Sequence, residues 1–289
     1  MSEQKPQSLY VGYLPKLPPG HKRPVAVALA ALGLMVVLAI VLFTIAERPL
    51  PNAHFDYGTL TEHEGILQLS PYPMLQIDRG KDPSGKTIFQ SLLLVNAGKH
   101  GAKDIAQRIA EGTTLPLETS MVKLRGTLIY FDGKSVLELS EGIDAFLGIR
   151  KIPEPDYSTS SHTLGEMILK GEVVDPKCFF GVMNPGYGKV HLSCARRCLS
   201  GGIPPVFRTT DTKRPQYYVL TSKNGEVLGM EILPLVGYET TLSGLVSERN
   251  DWQYFAISDS VLSRLSAKAL ENPTNAALSP LIAQIPVCR

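Results

Sequence analysis

The chain has no basic run interleaved with aromatics, and its 29 Lys and Arg nearly balance 27 Asp and Glu. The electrostatic footprint of a nucleic-acid binder is therefore missing, and no nucleic-acid partner is expected. Neither Gly-x-Ser-x-Gly nor His-Glu-x-x-His occurs. Without a nucleophile elbow or a metalloprotease helix, nothing marks the chain as an enzyme. Cysteine is scarce, with four residues in 289, which allow three full pairings. Charge is absent altogether from Val25 to Ala46.

That last absence spans about 33 Å of helix, enough to cross a bilayer core. Lys5, Lys16, Lys22 and Arg23 precede it, whereas Arg48 follows beside Glu47, with Asp56 further on. The charge bias places residues 1–24 in the cytoplasm and the chain after about residue 47 outside, periplasmic or extracellular, on a cytoplasmic-membrane anchor. Thr44-Ile45-Ala46 offers a small-residue cleavage site. Signal-peptide cores run about 7–15 residues, however, so an uncleaved single-pass helix over 25–46 is the expectation. In that compartment disulfides form and persist.

Beyond the anchor, short alternating runs of Leu, Val, Ile, Tyr and Phe are punctuated by turns, as expected of a mainly β fold. One pattern recurs, a glycine set within a strand, at Gly65, Gly126, Gly171 and Gly244. Leu92–Val95 and Tyr217–Leu220 are a further matching pair of buried-looking strands. Two halves follow: a first β domain over 47–150, a linker over 151–161 rich in Pro and Ser, and a second β domain over 162–289. A glycine that lets a long strand coil, among about five strands, describes a small partly open barrel of the OB type. A pair of small sandwiches is the alternative. Lys103–Glu111 reads as a short helix, and Asp259–Leu270 as another with Asp259 as its cap.

Gly80-Lys81-Asp82-Pro83-Ser84-Gly85-Lys86-Thr87 satisfies the phosphate-loop pattern letter for letter. That mechanism needs a helix to open at the lysine, but Ile88–Val95 is β-branched or aliphatic and reads as a strand. A hairpin loop is expected instead, with no nucleotide.

The most informative stretch runs from Gly171 to Pro205 and holds Cys178, His191, Cys194 and Cys198. On a helix over Lys189–Leu199, His191, Cys194 and Cys198 stand at i, i+3 and i+7, within about 60° on one face. Cys178 comes from the end of a strand over Glu172–Asp175 and returns through the Asn184-Pro185-Gly186 turn. Three uses remain open. The first is a disulfide of Cys178 with Cys194 or Cys198, with Cys288 left for the remaining thiol. The second is a closed set of three thiolates and an imidazole, suited to Zn²⁺ or Cu(I), on a C-x15-C-x3-C spacing unlike ordinary zinc fingers. The third is thiol chemistry, with a cysteine activated by His191 and Arg196-Arg197. Asp175 and Glu172 read as solvated residues at a strand end, Trp252 and Tyr254 as packing, and Tyr72 as a cover on a barrel end.

The motif Gly-Glu-Val-Val-Asp, then Cys, a glycine-rich gap, His-x-x-Cys-Ala-x-x-Cys and a closing Gly-x-Pro resembles that of a bacterial family of extracytoplasmic proteins. The residues carrying it are Gly171 to Asp175, Cys178, His191, Cys194, Ala195, Cys198, Gly202 and Pro204. The resemblance implies that Cys178, His191, Cys194 and Cys198 form one constellation, and it leaves Cys288 outside. The expectation is a membrane-anchored binding or assembly module with a protein partner, such as an accessory subunit of a membrane redox complex. A disulfide-stapled interaction protein and a thiol oxidoreductase are the alternatives.

Overall fold

The computed structural model describes residues 19–46, 52–85, 87–152, 161–212 and 214–258. Residues 1–18, the start of the stalk at 47–51, most of the expected linker, the helix expected over 259–270 and Cys288 lie outside them. The chain forms two compact units, Met1–Pro51 and Asn52–Arg289.

The first unit contains α1 (Pro19–Ala46). It starts ahead of Val25, because proline is at home in a first helical turn where no N–H is required. Lys22 and Arg23 thus join the helix. Its Val, Leu, Ile and Phe side chains are mostly exposed, and the Thr44 hydroxyl donates to the Ile40 carbonyl at 2.8 Å. A lone hydroxyl bonded to its own helix needs no water, as a lipid environment demands. The segment Gly20–Ile45 fits a membrane anchor or a signal sequence.

The second unit is mainly β. Its first half comprises β1 (Ala53–Phe55), β2 (Thr61–Gln68), β3 (Met74–Lys81), β4 (Thr87–Asn96), α2 (Lys103–Glu111), β5 (Ser120–Phe131), β6 (Lys134–Leu139) and β7 (Phe146–Lys151). The strand order is β1-β5-β2-β3-β4-β6, with β7 on β5 and a β5–β6 pairing that brings the order round on itself. Ile105, Ala106 and Ile109 of α2 pack into a core with Leu67, Leu75, Leu92, Leu94 and Leu137.

The second half comprises β8 (Ser161–Val174), α3 (Leu192–Ser200), β9 (Val206–Thr209), β10 (Tyr217–Ser222), β11 (Glu239–Arg249) and β12 (Trp252–Ile257). These strands close a barrel in the order β10-β12-β11-β8-β9. Each half has one parallel pairing, β4–β6 in the first and β10–β12 in the second, each joining the third and fifth strands of its ring. This is the OB-like order expected of the sequence, with a short helix in each half, α2 after β4 and α3 between β8 and β9.

The four repeated glycines mark where a strand changes or gains a partner. Gly65 ends the β2–β5 pairing before β3 takes over, and Gly126 ends that same pairing on β5 before β6 does. Gly171 and Gly244 stand where β8 meets β9 and β11 meets β12. At all four a β-carbon would lie 2.1–2.5 Å from a carbonyl oxygen of the neighbouring strand. The repeat in the sequence thus records a close main-chain approach, which no larger residue permits.

The two halves share a core. Tyr72, Met74, Leu93, Ile129 and Val136 cluster with Phe207, Trp252 and Phe255. Trp252 is fully buried and donates from Nε1 to the Ser91 carbonyl at 3.0 Å. Tyr72 donates its hydroxyl to the Leu220 carbonyl and accepts from the Leu228 amide, both at 3.1 Å. Rather than capping its own barrel, Tyr72 is inserted into the other one.

The phosphate-loop pattern sits in the β3–β4 hairpin. Asp82 folds the turn onto itself, accepting from the Ser84 amide at 2.8 Å. The strand β4 follows it in the chain, where the phosphate-loop mechanism needs a helix.

Candidate metal centre

The segment between β8 and β9 carries the cysteine motif as one excursion from the barrel wall. Val173 and Val174 are buried at the end of β8, and Asp175 follows them into the interior with no exposure. Asp175 Oδ1 accepts from the Lys177 amide at 2.9 Å and the Cys178 amide at 3.4 Å. Those bonds fold the chain into a wide turn over Cys178–Val182, which turns the Cys178 thiol inward to 5% exposure. The chain then returns through Asn184–Gly186 to α3.

His191 precedes α3 as its N-cap, and its carbonyl accepts from the Ala195 amide at 3.0 Å. Ala195, Cys198 and Leu199 form the buried face of α3, and Cys194 is half-buried beside them. The helix stops at Gly201-Gly202, where Gly202 takes a φ of 91° and the Ile203 amide reaches back to the Cys198 carbonyl at 3.2 Å. That left-handed stop is a glycine function. It fixes the C-terminal turn from which Cys198 projects.

Two side-chain groupings result. The Sγ atoms of Cys178, Cys194 and Cys198 lie within 4.8 Å of one another, with Cys178 and Cys194 at 4.0 Å. One ligand atom each from Asp175, Cys178 and His191 also lies within 4.8 Å of the others. Cys178 belongs to both. All three described cysteines are free thiols. The Cys178–Cys194 separation is about twice a disulfide bond length.

The first half of the fold walls the site. Lys177 is buried, and its Nζ donates to the Asn96 carbonyl at 3.0 Å, the Gly98 carbonyl at 2.8 Å and Glu138 at 2.9 Å. The Gly101 amide donates to the Gly201 carbonyl at 2.9 Å. A β-carbon on Gly201 would stand 1.8 Å from the Lys99 carbonyl, so the loop after β4 seats directly on the end of α3.

Electrostatics hold the Cys194 and Cys198 thiols protonated. Burial raises the Cys194 thiol, the neighbouring Cys178 raises it further, and the Lys99 ammonium opposes both. Cys198 is pushed far up by its contact with Cys178, then by burial and by Asp175. Burial lowers His191, against the pull of Asp175, so its imidazole is held neutral and ready to donate a lone pair. Asp175 Oδ2 and His191 Nε2 are buried with no hydrogen-bond partner. Each such orphan costs about 1–3 kcal/mol, and a bound cation would remove both costs.

Asp175 and Glu172 are therefore not the solvated strand-end residues expected. Asp175 is fully enclosed, and Glu172 is buried with its carboxylate accepting from the Gly188 amide. Sequence reasoning also missed Lys177 and Lys99. The available signal was the apolar run Val173-Val174 leading straight into Asp175, which carries the carboxylate inward with the strand. Arg196 points elsewhere, donating to the Leu233 carbonyl at 3.1 Å. No protein-family profile, curated protein or solved structure matches this chain.

Proposed function

We propose that the chain is a membrane-anchored module displaying an OB-like pair of β units outside the cytoplasmic membrane, where it holds a thiophilic cation. Cys178, Cys194 and Cys198 supply three sulfurs, a donor set suited to Zn²⁺ or Cu(I), and the His191 nitrogen adjoins them in the grouping with Asp175 and Cys178. The observation that carries this reading is the grouping of three free sulfurs within 4.8 Å, from the turn after β8 and from one face of α3. The burial of Cys178 and Cys198 supports it, because an ion held there is shielded from water. The same burial argues against a reactive thiol, since a nucleophilic cysteine needs a lowered pKa. With no catalytic signature and a lipid tether, its role is binding or assembly, as an accessory subunit of a membrane redox complex.

One contact favours a second reading. Cys178 and Cys194, at 4.0 Å, are close enough to close into a disulfide after a small side-chain shift. The module would then be a stapled interaction protein.

Full-length protein, extracted in detergent without reductant or added metal, separates the two readings by metal analysis and thiol counting. The metal reading expects bound zinc or copper, with the amount bound falling in Cys178→Ser, Cys194→Ser and Cys198→Ser alike. Metal-free protein with Cys178 and Cys194 resistant to alkylation until reduced would establish the staple instead.

A further inference from the structure

The centre has two poles, and a single ion serves only one of them. The sulfur pole is Cys178, Cys194 and Cys198; the other pole is Asp175, Cys178 and His191, and the Cys178 thiol is their common member. Asp175 is fully buried and His191 only 3% exposed. Oδ1 of Asp175 is engaged by the Lys177 and Cys178 amides, while Oδ2 and the Nε2 of His191 have no partner. Two buried polar atoms without a hydrogen-bond partner thus stand beside a thiol that both groupings share.

We propose that the centre binds two cations, with the Cys178 thiolate bridging them. The second ion is held by Asp175, Cys178 and His191. This rests on the reading of the sulfur grouping as a metal site and extends it.

Charge supports the pair. Three thiolates and the Asp175 carboxylate balance two divalent ions, whereas one divalent ion leaves two buried negative charges over. Lys177 does not supply the difference, because its ammonium is already paired with Glu138. Lys99 acts on Cys194 and His191 and offsets one charge at most. Donor chemistry sets the selectivity. The sulfur pole accepts soft Cu(I) as readily as Zn²⁺, but a pole with a carboxylate, an imidazole and only one thiolate favours Zn²⁺ over Cu(I). The centre therefore takes two Zn²⁺ ions but only one Cu(I).

The test is metal stoichiometry of the full chain in detergent, reduced and stripped, then titrated anaerobically with Zn²⁺ or Cu(I) and counted by native mass spectrometry. The wild-type protein is expected to bind two Zn²⁺ or one Cu(I). Asp175→Asn should retain one Zn²⁺ and the full Cu(I) stoichiometry, and His191→Ala should do the same if the Asn variant fails to fold. The Cys194→Ser/Cys198→Ser double variant should keep one Zn²⁺ and lose Cu(I), and Cys178→Ser should weaken both Zn²⁺ ions at least 100-fold. A wild-type count of one Zn²⁺ that vanishes in the double cysteine variant would overturn the second position and leave the sulfur site standing. Two Zn²⁺ ions retained by both Asp175→Asn and His191→Ala would also overturn it. A wild-type protein that takes up neither metal would remove the sulfur site as well.

Discussion

The two β halves run through the same strand order, yet among the described residues only the second carries the cysteine cluster. In the first, β2 passes to β3 by the short connection 69–73; in the second, the chain between β8 and β9 opens into the excursion 175–205. The barrel around it is unaltered, down to the glycines at which strands change or gain a partner. The first half, lacking such an excursion, supplies the wall: Asn96, Gly98, Lys99 and Glu138 all face the cysteine segment. The comparison teaches that a site can be added to a closed barrel without disturbing it, provided a second barrel covers the added loop. A loop this rich in buried polar groups needs that cover, because water would otherwise be the only partner for its main chain.

The largest break in the arrangement should come from Lys177→Met. It strips a buried ammonium from Glu138 and from two carbonyls, leaving that carboxylate unpaired in a site where only 16% of its side chain is exposed. Removing one partner of such a pair costs about 3–5 kcal/mol. Chemical denaturation of the full chain should show that loss. The transition should stay single, because the shared core and the Trp252 and Tyr72 hydrogen bonds still join the halves.

Next in size are the repeated glycines. Gly171→Ala places a β-carbon 2.2 Å from the Arg208 carbonyl oxygen, and Gly126→Ala places one 2.5 Å from that of Glu138. Forced overpacking of this sort costs about 1–3 kcal/mol. The two variants sharpen the comparison, because equal losses would mean that both rings depend on the same main-chain approach. Only Gly171→Ala should also weaken Zn²⁺ binding, since β8 runs on from Gly171 to Asp175. Thermal melts with and without Zn²⁺ measure both effects.

How much of this was legible beforehand follows the same division. The rings were readable, because alternation and a glycine per bend are local properties that a sequence displays directly. The helix expected over Lys189–Leu199 forms as Leu192–Ser200, with His191 capping it rather than lying within it. Cys194 and Cys198 are helical as expected. Asp175 was misjudged because burial of a carboxylate depends on what covers it, and its cover comes from a remote half. Lys177 was invisible for the same reason, with partners 39 to 81 residues away in sequence. Tyr72 was seen as a cap because nothing local announces that its hydroxyl bonds to residues 148 and 156 positions further on. Tyr72→Phe should therefore cost about 1–2 kcal/mol through the Leu228 amide it leaves unpaired, a loss read in the same melts.

The smallest effect separates the halves by pH. His63, on β2, has its pKa lowered by burial first and by Arg79 second, with Asp56 opposing. The unfolded chain, whose imidazole titrates near the ordinary 6.5, then binds more protons than the folded one. His63 thus contributes stability that is fully present above about pH 6.5 and is lost as the pH falls through the lowered folded value. Melting temperature should decline on acidification across that window, and His63→Gln should flatten the decline by removing the titrating group. His191, also lowered by burial, adds a parallel slope from the second half, so the flattening is partial in metal-free protein. In Zn²⁺-loaded protein His191 titrates with the metal instead, which leaves His63 as the share of the slope that His63→Gln removes. A wild-type profile flat between pH 7 and 5, or one that His63→Gln leaves unchanged, would mean that β2 holds its histidine in contact with water.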